Sequence, residues 1–237
     1  MASGRAPPHR GRTAPGAGSY TESMAPKDIF TEPADVDPFT LRNLGPLAPL
    51  AGIWEGAGTD HHPFSEGGRD QAISERIELQ PIDPQTNGPQ LFYGLRYHVR
   101  VTKPGKVHTF HDQVGYWLWE PATGTLLQTV AIPRGQVAMA TGKAAPTART
   151  FTVQAREGDR CAGICSNPFL DEAFRTVEYR ITVAANPDGT WSYEQDTVLQ
   201  VRGRPEPFHH VDRNTLHRIA EATPNPASTA PDEPDDD

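Results

Sequence analysis

Apolar and polar residues alternate at period two over several long segments of this 237-residue chain. In the segment 177–183, Val177, Tyr179 and Ile181 alternate with charged or hydroxyl side chains. Such a period places successive side chains on opposite faces of a strand. The 21 glycines and 24 prolines are more than a helical bundle tolerates, because both residues break helices. The pattern predicts half-buried antiparallel strands.

Turn signals rich in glycine and proline separate the alternating segments, which number about ten. Their approximate ranges are 52–58, 72–80, 91–102, 107–119, 125–132, 135–142, 149–156, 175–184, 190–202 and 207–219. Hairpin spacing without crossover helices predicts an all-β fold, either a closed barrel or a sandwich. One short helix is predicted near 38–50, before the first strand. A barrel of more than eight strands would have room for a small ligand.

Composition divides the chain into three parts. Residues 1–40 and 222–237 are rich in Pro, Ala, Gly, Ser or acid, which predicts disordered tails around one domain at 41–221. The formal net charge is −8, but five of the 30 acidic residues lie in 222–237, a segment without a basic residue. The domain itself is close to neutral, which excludes a basic nucleic-acid footprint.

The sequence also constrains location and chemistry. No stretch has the roughly 20 apolar residues that a membrane helix needs. The amino-terminal arginines are not followed by an apolar run, so a secretory signal is not predicted and we expect a cytoplasmic protein. No GxSxG, HExxH, P-loop or dinucleotide-binding motif occurs, which removes the enzyme classes most often visible by motif. Both a monomer and a homodimer remain open.

The first predicted strand has an unusual glycine pattern. Gly52, Gly56 and Gly58 lie on one parity with Trp54, so that face is stripped of side chains except for one large ring. Either a neighbouring backbone or a ligand can then approach the strand closely. A barrel-closing strand with a core tryptophan is the preferred interpretation, and direct ligand contact is the alternative.

Three segments together carry a resemblance to a known family. The sequence LGPLAPLAGIWEGAG at 44–58 resembles the opening of the nitrobindins, haem-binding relatives of the fatty-acid-binding-protein barrels. The segment 111–116 is similar to the family's HxExGYLR strand, with Gln113 in place of Glu and Leu118 in place of Arg. The segment 207–218 is similar to the family's final strand. The resemblance covers about 46–219 and implies a ten-stranded antiparallel up-and-down barrel.

The same resemblance implies ferric haem b in the pocket, reversible binding of nitric oxide and isomerisation of peroxynitrite to nitrate. In an ungapped alignment the family's axial histidine falls on Val211, which cannot ligate iron. His210 is one residue away and would need a bulge or register slip to take that place. His209 shares the parity of Val211 but lies about 7 Å further along the strand. His111 matches a family position and is a candidate for a polar contact inside the barrel.

Two functional hypotheses therefore remain. In the first, the chain is a ferric haem protein and a haem-dependent peroxynitrite isomerase, with His210 or His209 as the iron ligand. In the second, the axial ligand has been lost and the barrel carries a lipophilic small molecule. We favour a nitrobindin-like barrel for a planar hydrophobic ligand, haem b first among the candidates, in which the replacement by Val211 puts haem ligation in question.

Overall fold

A computed structural model describes residues 28–63 and 69–229. Within these ranges the chain forms twelve strands and a few short helices. The strands are β1 (Gly52–His61), β2 (Gln71–Pro81), β3 (Gln85–Asn87), β4 (Gln90–Thr102), β5 (Thr109–Glu120), β6 (Thr125–Ile132), β7 (Gln136–Lys143), β8 (Thr150–Glu157), β9 (Gly163–Ser166), β10 (Phe174–Ala185), β11 (Trp191–Val201) and β12 (Phe208–Ala220). The helices are α1 (Thr40–Asn43), α2 (Pro168–Ala173) and two 3₁₀ helices, Gly45–Leu50 and Pro226–Ser228.

The sheet closes on itself. Its order is β2-β1-β12-β11-β10-β8-β9-β7-β6-β5-β4-β3, and an additional ladder between the first strand, β2, and the second-last, β4, closes it. The prediction of an all-β fold is confirmed, and the ladder decides for the barrel over the sandwich. All ten predicted strands are present. The short strands β3 and β9 were not predicted, because three or four residues are too few to show alternation.

Strand β10 shows how the alternation builds the core. Tyr179, Ile181 and Val183 are buried, as their period predicts. A register shift between Thr176 and Glu178 breaks that period, so Thr176 is buried and Val177 is only half-buried. An irregularity of this kind inserts one residue into a strand and changes the phase of the side chains before it.

The predicted amino-terminal helix is confirmed as α1 followed by the 3₁₀ helix, and it closes one end of the barrel. Leu44, Leu47 and Leu50 are fully buried there. The Nε1 of Trp54 donates a hydrogen bond to the carbonyl oxygen of Leu50 at 2.8 Å. Trp54 is itself fully buried, which fits the core role predicted for it. No helix in the described ranges has the length and apolar character needed to cross a membrane.

The glycines of β1 permit close approach of a strand. A Cβ on Gly56 would lie 2.6 Å from the carbonyl oxygen of Thr215, and one on Gly58 would lie 2.3 Å from that of Arg213. Both oxygens belong to β12, so the backbone of the neighbouring strand occupies the space that side chains would need. The pattern thus serves barrel closure.

Residues on both sides of the predicted domain boundaries pack together. Asn225 is buried, and its Nδ2 donates to the carbonyl oxygen of Pro38 and to Oδ1 of Asp83, both at 2.8 Å. Its Oδ1 accepts from the backbone N–H of Thr40 at 3.2 Å. The ordered body thus extends a few residues past 41–221 at each end. Residues 1–27 and 230–237 lie outside the described residues, where predicted disorder stays a prediction.

Candidate functional site

The barrel encloses a cavity of about 590 Å³. Its deep end is lined by Leu79, Trp117 and Trp191, all buried. At the other end Phe169 also lines the cavity although it is 63% exposed, as does the exposed Arg134, so this end is the mouth. Cavities of this volume with largely apolar walls are typical of small-molecule and cofactor sites.

A buried carboxyl group lies in the cavity wall. Glu75 accepts hydrogen bonds from the hydroxyl of Tyr193 at 2.8 Å and from Nδ2 of Asn214 at 2.8 Å. Burial raises the pKa of Glu75 to about 7, although both hydrogen bonds favour the carboxylate. This group therefore changes charge near neutral pH. In the sequence it shares the parity of Ile73 and Ile77, and a charged residue on an apolar face was the signal that could have identified it.

Phenols and amides supply the other polar groups of the wall. The hydroxyl of Tyr179 donates to Oε1 of Gln128 at 2.8 Å, and Nε2 of Gln113 donates to the hydroxyl of Tyr97 at 2.8 Å. Burial raises the pKa of both tyrosines, so both remain neutral. These groups form hydrogen bonds with one another within the wall, so they do not need a ligand as a hydrogen-bond partner.

Three side chains, here called the mouth cluster, meet near the open end: Asp60 from β1 and His210 and Asp212 from β12. His210 Nε2 lies 2.9 Å from Asp60 Oδ1 and 3.5 Å from Asp212 Oδ1. Burial disfavours the charged ring, but the hydrogen bonds and charges of the two carboxylates outweigh it and raise the pKa of His210 to about 9. The ring is therefore cationic at neutral pH.

Further groups surround the mouth cluster. Nε2 of Gln195 donates to Asp212 Oδ2 at 3.0 Å, and Oε1 of Gln195 lies 3.1 Å from the hydroxyl of Tyr179. His62 Nε2 lies 3.8 Å from Asp60 Oδ2. Sequence reasoning missed the two aspartates, because their roles depend on strands that meet only in the fold.

The three candidate residues that the sequence analysis placed on β12 lie on two different faces of that strand. His210 lines the cavity, without the bulge or slip that the alignment required, since the β11–β12 ladder is regular from Phe208 to Leu216. His209 and Val211 point to the opposite face, as neighbours on a strand must. His209 Nδ1 lies 2.7 Å from Asp196 Oδ2.

His111 also lines the cavity. Its Nε2 lies 3.3 Å from Oε1 of Gln113. Burial lowers the pKa of His111, against the hydrogen bond to Gln113, so the ring is neutral. The predicted polar contact inside the barrel is thus present.

A family model described as the THAP4-like, heme-binding beta-barrel domain matches residues 43–218. The chain belongs to this family. The resemblance to nitrobindins that the sequence suggested is thereby confirmed. The THAP4-like chain is also similar to the crystal structure of Rv2717c from M. tuberculosis, with a TM-score of 0.54 and 21% identity over 78% of this chain and 99% of that one. That likeness supports the fold. No protein among curated sequences matches the chain.

The family description suggests haem, which would need a histidine in the cavity whose ring nitrogen is open to the iron. An axial histidine presents a neutral ring nitrogen to the iron. The Nε2 of His210 instead has carboxylate oxygens of Asp60 and Asp212 in front of it at 2.9 and 3.5 Å, so these side chains lie where the flat ring around a haem iron would have to be. The Nε2 of His111 is engaged with Gln113. The residues of this THAP4-like barrel therefore do not fit a histidine-ligated haem.

Proposed function

We propose that this barrel binds a small, largely apolar molecule with a hydrogen-bond acceptor, and holds it in the cavity without a histidine–iron bond. The observation that carries the proposal is the 590 Å³ cavity, which is plugged at one end and lined by aromatic and aliphatic side chains. An apolar ligand gains most of its affinity by removing such surface from water.

One polar group in the deep wall supports an acceptor on the ligand. The Nε1 of Trp191 is buried and has no hydrogen-bond partner among the described residues, and Trp191 lines the cavity. A buried donor without a partner costs about 1–3 kcal/mol. A carbonyl or ether oxygen placed at the deep end would accept from Trp191 and recover part of that cost.

The planar dye Nile red, which carries a carbonyl oxygen, provides a direct test. We expect its fluorescence to rise and saturate on titration with the full-length protein. Trp191→Phe keeps the ring shape but removes the donor, so the Kd should rise about fivefold, as expected for one hydrogen bond of about 1 kcal/mol. Ala138→Phe, which adds bulk to the cavity wall, should weaken binding further.

The matched control is Tyr116→Phe on the exposed face of β5, which should leave the Kd unchanged. Circular dichroism shows whether each variant is folded. Saturable binding that Ala138→Phe does not affect would place the dye elsewhere and overturn the proposal.

Haem binding with nitric oxide and peroxynitrite chemistry is the second candidate, favoured by the family and by His210 facing the cavity. Ferric haem titration followed at the Soret band separates the two candidates. We expect no shift that depends on His210. A shift present in the wild type and in His209→Ala, but lost in His210→Ala or His111→Ala, would establish the haem candidate. A haem-dependent rise in nitrate yield from peroxynitrite would then establish the isomerase.

A further inference from the structure

We propose that the mouth cluster is a binding site for a divalent transition-metal ion, of which Zn²⁺ is the representative. Its three members, Asp60, His210 and Asp212, each offer one ligand atom, and these atoms lie within 4.8 Å of one another. Carboxylate oxygens and imidazole nitrogens are common zinc ligands.

The two separations that involve His210 are close to those between ligands of one ion. Ligand atoms about 2.1 Å from a metal lie about 3.0 Å apart at octahedral angles and about 3.4 Å apart at tetrahedral angles. His210 Nε2 lies 2.9 Å from Asp60 Oδ1 and 3.5 Å from Asp212 Oδ1. A single hydrogen bond explains the shorter distance, but one N–H cannot serve both carboxylates well. A small inward shift of the ion's ligands would accommodate all three.

The second, independent observation concerns Oδ2 of Asp60, the carboxylate oxygen that takes no part in the 2.9 Å pair with His210. Asp60 is 2% exposed, and its Oδ2 is buried without a hydrogen-bond partner among the described residues. A buried carboxylate oxygen is ordinarily hydrogen-bonded or bound to a metal. The ring nitrogen Nε2 of His62 lies 3.8 Å from this oxygen, beyond hydrogen-bond distance.

The surroundings resemble the outer shell of a metal site. Gln195 binds Asp212 Oδ2, which leaves Oδ1 directed toward His210. Tyr179 lies 3.1 Å from Gln195 in turn, so a chain of hydrogen bonds orients the carboxylate. Binding of the ion displaces the proton that His210 carries at neutral pH, which leaves two carboxylates and a neutral imidazole with a formal charge of −2 that the divalent ion cancels.

The donor set also indicates which ions to expect. An imidazole among oxygen ligands favours Zn²⁺, Co²⁺, Mn²⁺ or Fe²⁺ over Mg²⁺ and Ca²⁺, which prefer oxygen alone. Because all three residues line the cavity, a position left open on the ion would face a bound molecule. An oxygen donor on that molecule could then bind the metal directly.

The test uses the full chain after treatment with a chelator. Isothermal titration with Zn²⁺ should give one site, and Co²⁺ should give visible d–d absorption. We expect Asp60→Asn, Asp212→Asn and His210→Ala each to raise the Kd at least about 100-fold, and Gln195→Ala to raise it about 10-fold. Mg²⁺ should not compete.

The matched control is Asp196→Asn, which removes the carboxylate of the neighbouring aspartate–histidine pair on the outer face. It should leave the Kd and the Co²⁺ spectrum unchanged. Three separate ligand variants guard against one that fails to fold, as judged by circular dichroism. Absence of binding to the wild type, or equal binding in all folded ligand variants, would overturn the site. Nile red binding is measured without metal, so the metal site and the proposed cavity function can fail independently.

Discussion

Adjacent histidines on β12 form two aspartate pairs of nearly the same length in opposite surroundings. His209 lies 2.7 Å from Asp196, with the histidine side chain 60% exposed. His210 lies 2.9 Å from Asp60, with side chains 28% and 3% exposed. Exposed pairs contribute about 0–1 kcal/mol, whereas loss of one partner from a buried pair costs about 3–5 kcal/mol. Burial, and not distance, distinguishes the two pairs.

A second carboxylate sharpens the contrast. Asp212 lies 3.5 Å from Nε2 of His210, so removal of this ring leaves two carboxylates near each other at the mouth of the cavity. His210 therefore balances the charge of two carboxylates at the mouth of the cavity, whereas His209 pairs with one aspartate on the outer face.

The largest effect should come from removing each ring in turn. We expect His210→Ala to lower the free energy of unfolding by about 3 kcal/mol at pH 7, because it leaves buried carboxylates without a cation. His209→Ala should lower it by less than about 1 kcal/mol. Urea denaturation followed by fluorescence measures both. Equal losses would show that burial does not separate the two pairs.

The pH dependence of stability provides a second comparison. Since folding raises the pKa of His210 from 6.5 to about 9, its stabilising contribution is fully present below pH 6.5 and is lost as the pH rises through 9. The difference in stability between wild type and His210→Ala should therefore shrink by on the order of 2 kcal/mol over that range. Denaturation at a series of pH values tests this. A difference that stays constant from pH 6 to 10 would contradict it.

Much of the fold was accessible from sequence, because alternation and turn signals are local. Which residues of β12 face the interior could also have been predicted. His210 is six residues, an even number, from the fully buried Leu216, so the two side chains lie on the same face of the strand. The alignment to Val211 concealed this. The mouth cluster was not accessible, because Asp60 and His210 are 150 residues apart and meet only when β1 pairs with β12.

Glu75 extends the comparison to a carboxyl group without a cation. Folding raises its pKa from 4.5 to about 7, so its contribution to stability is present below pH 4.5 and is lost as the pH rises through 7. Glu75→Gln keeps the shape and cannot ionise, so the variant should lose less stability than the wild type between pH 4.5 and 7, by on the order of 2 kcal/mol. Parallel curves for the two proteins would refute the raised pKa.

The smallest effect should come from the outer face. Arg213 and Glu194 form a 2.7 Å ion pair whose side chains are 52% and 59% exposed. Water and salt screen such a pair, and two long side chains lose freedom in making it. We expect Arg213→Ala to change the free energy of unfolding by less than about 0.5 kcal/mol at moderate salt. Arg213 lies three residues from His210 on the same β12 but on the opposite face. If Arg213→Ala lost as much stability as His210→Ala, position along the strand would matter more than the face on which a side chain lies.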